Sequence, residues 1–226
     1  MSIQANPSID PDPTTDPNPS PVRPNEVAAT RVPVDRARLL PARVFHDPQV
    51  FDYEQQSWFA TSWLCVGREA ELAAPGTYIL ARAGGEGVIV LRDGSGTLRA
   101  FNNVCRHRGS TLLDEPAGMS GRVVRIQCPY HAWIYDLDGS LRRAPHTDEL
   151  HDFDATDNGL SPVRLDTWQG FVFINLAPAG PGLLHQLADL PAQLPAHPMA
   201  DLRPARRIEY EVGANWKVIA ENYSEC

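Results

Sequence analysis

Between Trp63 and Leu176 the apolar positions fall in short runs, each closed by a turn signal, with no helical period of useful length. Trp63–Gly67, Thr77–Ala83, Val88–Leu91, Leu98–Val104, Gly121–Gln127 and Ala132–Asp136 read as strands. Asp93-Gly94 and Asp138-Gly139 are tight-turn signals between them. Gly170–Leu176 (GFVFINL) is apolar without alternation, as a strand buried on both faces would be. This stretch predicts a small antiparallel all-β domain.

The flanks have other patterns. Asp47-Pro48 is a helix cap followed by proline at the first helical position, and the helix should run to about Phe59. Leu183–Leu194 predicts a short helix interrupted by Pro191, and Pro204–Val212 alternates like a strand. Asn215 caps a helix from Trp216 that meets no stop signal before Cys226, so a second domain is expected to begin here without finishing. At the other end, Pro7–Pro24 is rich in Pro, Asp, Ser and Thr and too poor in apolar surface to offset its ordering entropy. The expected division is a tail without fixed structure over 1–44, a helix within 45–62, the β domain over 63–178, and a linker with the start of a further domain over 179–226.

Composition narrows the function classes. A chain of 226 residues holds one domain and part of another. Its net charge of −8 argues against nucleic acid as a partner. No apolar run approaches the ~20 residues that cross a bilayer, and no basic-then-apolar leader is visible, so the expectation is a cytoplasmic protein with no membrane partner. Four cysteines, Cys65, Cys105, Cys128 and Cys226, in such a setting point to metal ligands more than to disulfides.

Two of them stand in motifs, Cys105-Arg106-His107 and Cys128-Pro129-Tyr130-His131, each just after a predicted strand. Each loop offers one thiolate and one imidazole. A Rieske-type [2Fe–2S] cluster needs two cysteines on one iron and two histidines on the other. Structural zinc also takes two of each. Zinc fingers, however, pair Cys with Cys and His with His, whereas here the types alternate.

CRHRG at Cys105–Gly109 and CPYHAW at Cys128–Trp133 resemble the two cluster loops of Rieske non-heme iron oxygenase large (alpha) subunits. GFVFINL and the segment around Trp63 resemble that family too, and the similarity covers roughly Phe45 to Cys226. The resemblance implies a mainly β fold: an antiparallel Rieske domain, then the start of an α+β catalytic domain of the helix-grip type. It implies Cys105, His107, Cys128 and His131 as cluster ligands. Arg106 stands where many members have proline and is expected to be a surface charge.

NWKVIAENYSEC at Asn215–Cys226 resembles the start of the family's catalytic helix. There Glu225 matches an acid that bridges the cluster of one subunit to the iron of its neighbour. Asn222 lies beside it and Glu221 has a structural role near that iron. The first histidine of the two-histidine, one-carboxylate iron site falls beyond this segment. Glutamate in place of aspartate at 225 resembles the branch acting on carnitine, choline or glycine betaine. The resemblance further implies electrons from NAD(P)H through a reductase or ferredoxin. It also implies mononuclear Fe(II), O₂, a small organic substrate to be hydroxylated, and a homotrimer. The rival reading is a self-standing Rieske electron carrier, for which the terminal helix motif would have no purpose.

The remaining candidates carry less. Cys65 is expected to be a buried small hydrophobe and Cys226 a bystander. His46, His146, His151, His185 and His197 lack partners at ligand spacing. Trp133 and Tyr130 are expected to shield the cluster, with Tyr130 hydrogen-bonding near a cluster sulfur.

Overall fold

The computed structural model describes residues 19–114, 120–147, 149–194, 198–203, 205, 206, 208 and 210–224. Helices α1 (Arg43–His46) and α2 (Pro48–Glu54) come first. Ten strands follow: β1 (Leu64–Arg68), β2 (Thr77–Ala83), β3 (Glu86–Arg92), β4 (Leu98–Asn102), β5 (Ser120–Arg122), β6 (Ile126–Gln127), β7 (Ile134–Tyr135), β8 (Leu141–Arg143), β9 (Arg164–Trp168) and β10 (Phe171–Asn175). Helices α3 (Leu183–Leu187), α4 (Leu190–Gln193) and α5 (Trp216–Ser224) complete the order. No described helix is long and apolar enough to cross a membrane. The described residues divide into two units, 58–211 and 19–57 with 212–224, and each is taken by itself.

In the larger unit the strands make three antiparallel sheets, β1-β10-β9, β4-β3-β2-β5 and β6-β7-β8. The second is the middle layer. Val88, Ile89, Val90 and Leu91 are all 0% exposed, so both faces of β3 are covered. Alternation along β2 and β3 splits them between two cores. Ile79, Ala81, Val88 and Val90 join Val172 and Ile174 of β10 in one core. Tyr78, Leu80, Ile89 and Leu91 join Phe101, Ile126, Trp133, Tyr135, Cys105 and Cys128 in the other. The apolar runs of the sequence are unbroken because each strand serves two cores.

Two turns lock this frame. The buried Asp93 carboxylate accepts the N–H groups of Ser95 and Thr97, both at 2.9 Å, the Ser95 hydroxyl at 2.6 Å and Arg99 Nε at 2.9 Å. Burial pushes its pKa up, but these donors outweigh it and hold it at about 2. Gly139 has φ +89°, and a Cβ there would run into the Phe101 ring. Farther along, the Gln186 side chain of α3 accepts Trp63 N–H at 2.7 Å and donates to its carbonyl at 2.8 Å, extending the ladder beyond β1.

Several elements differ from the reading of the sequence. The run 121–127 is two strands: β5 belongs to the middle sheet, β6 to the third, and the bend between them carries the chain across. Strands β8 and β9 carry no clear signal in the sequence: in β8 only Leu141 is buried, before two exposed arginines, and every residue of β9 is half-buried. The strand expected over 204–212 is not formed at its described residues: Ile208, Tyr210 and Val212 are exposed and have no neighbouring strand among the described residues. Without a partner ladder, alternation alone does not hold a strand. The break near Pro191 falls before it, at Ala188 with φ +50°, and the proline sits in the first turn of α4.

In the smaller unit Asp47 caps α2, accepting Gln49 N–H at 2.9 Å, as expected. The tail expected over 1–44 lies outside the described residues up to 18. From 19 onward it has structure instead: Pro24–Glu26 and Ala28–Thr30 form single 3₁₀ turns. Arg43 gathers this segment by binding the Pro21 carbonyl at 2.6 Å, Glu26 at 2.8 Å and Asp47 at 3.1 Å. Such a long-range hub is invisible to composition. Helix α5 starts as expected, with the Asn215 side chain accepting Lys217 N–H at 3.1 Å.

Candidate metal centre

Two loops present the four motif residues, and they share one backbone design. Cys105 N–H donates to the carbonyl five residues on, at Ser110 (2.8 Å), and Cys128 N–H does the same to Trp133 (2.8 Å). Each cysteine carbonyl accepts the N–H four residues on, from Gly109 (3.0 Å) and from Ala132 (3.1 Å). The fourth residue is left-handed in both, with φ +70° at Gly109 and +55° at Ala132. The Asn103 amide closes the first loop, accepting the N–H groups of Leu112 and Leu113 and donating to the Leu113 carbonyl.

These paired turns sort the side chains by type. Cys105 and Cys128 are each 2% exposed, lie in the same core, and influence each other's ionisation. His107 and His131 lie with ring centroids 4.8 Å apart at 69°. Trp133 stacks on His107 at 4.8 Å and 5°, and its edge is met by Phe153 at 5.7 Å. Burial pushes the Cys105 thiol pKa up. Burial also opposes ionisation of Cys128, but the N–H groups of His131 and Tyr130 and the Ser110 hydroxyl prevail and lower it. The His131 pKa is lowered by burial and by the charges of His107 and Arg108, which favours the neutral imidazole that binds metal.

The donor set fits a two-iron cluster. His131 Nδ1 is buried and has no hydrogen-bond partner, the condition of a nitrogen meant for a metal. Among the described residues no three or more of His, Cys, Asp and Glu converge on a single ion position. Two thiols in one pair and two imidazoles in another match the iron-by-iron division of a Rieske centre.

Tyr130 corrects one expectation. It is 59% exposed and stacks on His131 at 3.7 Å, with the Arg108 guanidinium 5.9 Å from its ring. The hydroxyl beside a motif cysteine belongs to Tyr135, fully buried, 3.3 Å from Cys105 Sγ. Strand parity held the clue, since Trp133 and Tyr135 are two apart and face the same core. Cys65 is a second correction: it is exposed, because Leu64 and Val66 take the core face of β1 and Cys65 between them takes the outward one. Arg106 is exposed, as expected of a surface charge. His46, His146, His151 and His185 join no metal-binding group, and His197 and Cys226 lie outside the described residues. Glu221 and Asn222 are exposed on α5, and Glu225 lies outside the described residues.

Comparison with known proteins agrees with this geometry. Residues 62–154 match the family profile of the Rieske [2Fe-2S] domain. The chain is 42% identical over 192 residues to the carnitine monooxygenase oxygenase subunit of Escherichia coli (strain K12), covering 84% of this chain and 50% of that protein. It is 40% identical over 187 residues to the glycine betaine monooxygenase oxygenase subunit of Chromohalobacter salexigens, covering 83% of this chain and 41% of that one. A solved quaternary ammonium Rieske monooxygenase, described for carnitine oxidation and inter-subunit electron transfer, superimposes with a TM-score of 0.79 at 38% identity, over 91% of this chain and 55% of that one. The chain thus spans about half the length of the curated relatives it matches.

Proposed function

We propose that this chain, whose residues 62–154 are a Rieske [2Fe–2S] domain, is the electron-accepting part of the alpha subunit of a Rieske non-heme iron oxygenase. The observation that carries the reading is the sorting of Cys105 with Cys128 and His107 with His131 in paired turns, with His131 Nδ1 buried and unpartnered. Both named relatives are oxygenase subunits matched over more than four-fifths of this chain, which favours this reading over a self-standing carrier.

Cys105 and Cys128 would hold one iron and His107 and His131 the other. Bound there, the cluster supplies one-electron transfer at a potential raised by histidine ligation. The protein's own part is to exclude water and fix the ligands. Cys105, Cys128 and Trp133 sit in the core shared with the middle sheet, and the paired turns hold each thiol by its own backbone.

The substrate class we propose is a quaternary ammonium compound such as carnitine or glycine betaine. The whole reaction combines an N–CH₃ group, O₂, NAD(P)H and a proton. It yields N–CH₂OH, water and NAD(P)⁺, and the hydroxymethyl amine then loses the aldehyde. The support is the names of the relatives and Glu225 in ENYSEC. A reductase or ferredoxin would deliver the electrons, and mononuclear Fe(II) in a two-histidine, one-carboxylate site would meet O₂. In this reading residues 63–178 are the Rieske domain and 179–226 lead into a helix-grip catalytic domain. The subunits form a homotrimer in the cytoplasm, with Glu225 bridging neighbours and Glu221 and Asn222 supporting it.

The test is oxygenation by the full-length protein with an NADH-dependent reductase and ¹⁸O₂, offered carnitine and glycine betaine. The expected product carries one labelled oxygen atom before it breaks down. A cluster that is reduced and reoxidised while both compounds stay intact would leave only the carrier.

A further inference from the structure

Glu54 closes α2, and its carboxylate is 2% exposed. Three hydrogen bonds meet it, from the first two residues of α5. Lys217 Nζ donates to Oε1 at 2.7 Å and to Oε2 at 2.9 Å. The indole N–H of Trp216 donates to Oε2 at 2.8 Å. The ammonium is itself only 9% exposed and lies 5.9 Å from the Phe45 ring and 5.2 Å from the Trp216 ring. The partners are 162 and 163 residues apart in sequence.

A buried ion pair is weak grounds for stability, because desolvating two charges offsets much of their attraction. Its attested use is to fix a register. The geometry here suits that use. Trp216 and Lys217 are consecutive, so they leave the helix about 100° apart. One carboxylate gripping both opposes rolling and sliding of the first turn. Lys217 and Glu221 are four apart, and Lys217 and Asn222 differ by five, so the direction fixed at 217 sets that of both.

We infer that Glu54 is a positioning residue: through Trp216 and Lys217 it sets the rotation of α5, and with it the direction of Glu221 and Asn222. The functional side of this rests on the oxygenase reading above, in which α5 opens the catalytic domain.

The experiment uses the full-length holoprotein and compares Glu54→Gln with the apolar pair Glu54→Met/Lys217→Met. The apolar pair leaves no buried charge unpaired, so the unit should fold with a near-normal melting temperature. Amide exchange is the first readout. Ile219 to Ser224 should exchange at least 10-fold faster in the apolar pair, with amides of β2 and β3 and the visible spectrum unchanged. Product formed per NADH oxidised is the second and should fall at least 5-fold, with cluster reduction at the wild-type rate. Wild-type exchange in α5 of the apolar pair would overturn the inference, since packing alone would then suffice. If wild-type protein oxygenates neither carnitine nor glycine betaine, the oxygenase reading falls, and the exchange result still decides what Glu54 does.

Discussion

The hydroxyl of Tyr135 lies 3.3 Å from Cys105 Sγ while accepting the backbone N–H of Arg106 at 3.1 Å. With that acceptor role filled, the phenol proton is left for the sulfur. Burial and the Cys105 contact raise the Tyr135 pKa above its usual range, so the proton stays on oxygen at any working pH. A donor to a ligand sulfur favours the more negative, reduced cluster.

Tyr135→Phe should therefore lower the midpoint potential. One hydrogen bond to a charged acceptor is worth about 1.5–3 kcal/mol. At ~59 mV per 1.4 kcal/mol for one electron, the fall should be roughly 60–130 mV. A redox titration followed by EPR measures it, and Tyr130→Phe, altering an exposed ring, should leave the potential in place.

Iron and acid-labile sulfide should be present at about two each per chain, with no zinc. Cys128→Ser and His131→Ala should each lose the visible spectrum. A colourless wild-type protein with one zinc per chain would end the cluster assignment.

The paired turns predict opposite responses to complementary substitutions. Gly109→Ala places a side chain at φ +70°, and its Cβ meets nothing within 4 Å, so the cost is backbone strain alone. That strain is roughly 1–2 kcal/mol. Ala132→Gly relieves the same strain at φ +55°, offset in part by the added freedom of the unfolded chain. Urea melts should show loss for the first and near-neutral or improved stability for the second.

Asp93 predicts an acid limb in the stability curve. Its folded pKa of about 2 lies below the ordinary 3.8. Its contribution is thus complete above pH ~4 and is lost as pH falls through about 2. Asp93→Ala should remove that limb. It should also cost roughly 1–3 kcal/mol at neutral pH, because the N–H groups of Ser95 and Thr97 and Arg99 lose their acceptor. Thermal melts from pH 2 to 7 compare the two proteins.

The chemistry of the centre was legible because metal ligation demands particular residue types at short spacing. CRHRG and CPYHAW hold the four proposed ligands in two local motifs. The main strands were legible because their apolar runs are long, as in Thr77–Ala83. What the sequence hides is set by partners far along the chain. Tyr135 reaches Cys105 from thirty residues away. Arg43 gives structure to a proline-rich segment through Pro21 and Glu26. Cys65 looks interior by its neighbours, but Leu64 and Val66 on either side take the core face of β1 and leave Cys65 the outward one.

The register of the first sheet has a consequence for biosynthesis. Leu64 pairs with Ile174 and Arg68 with Phe171, so β1 leaves the ribosome long before its neighbour exists. Both metal loops and the third sheet, ending at Arg143, are made in that interval. Until β10 arrives, Ile79, Val88 and Val90 face solvent where Val172 and Ile174 belong. A nascent or clipped chain ending before Phe171 would then hold all four proposed ligands yet present a bare sheet face, an aggregation hazard. A stretch expected to mature on its own therefore reaches past Asn175, well beyond His131.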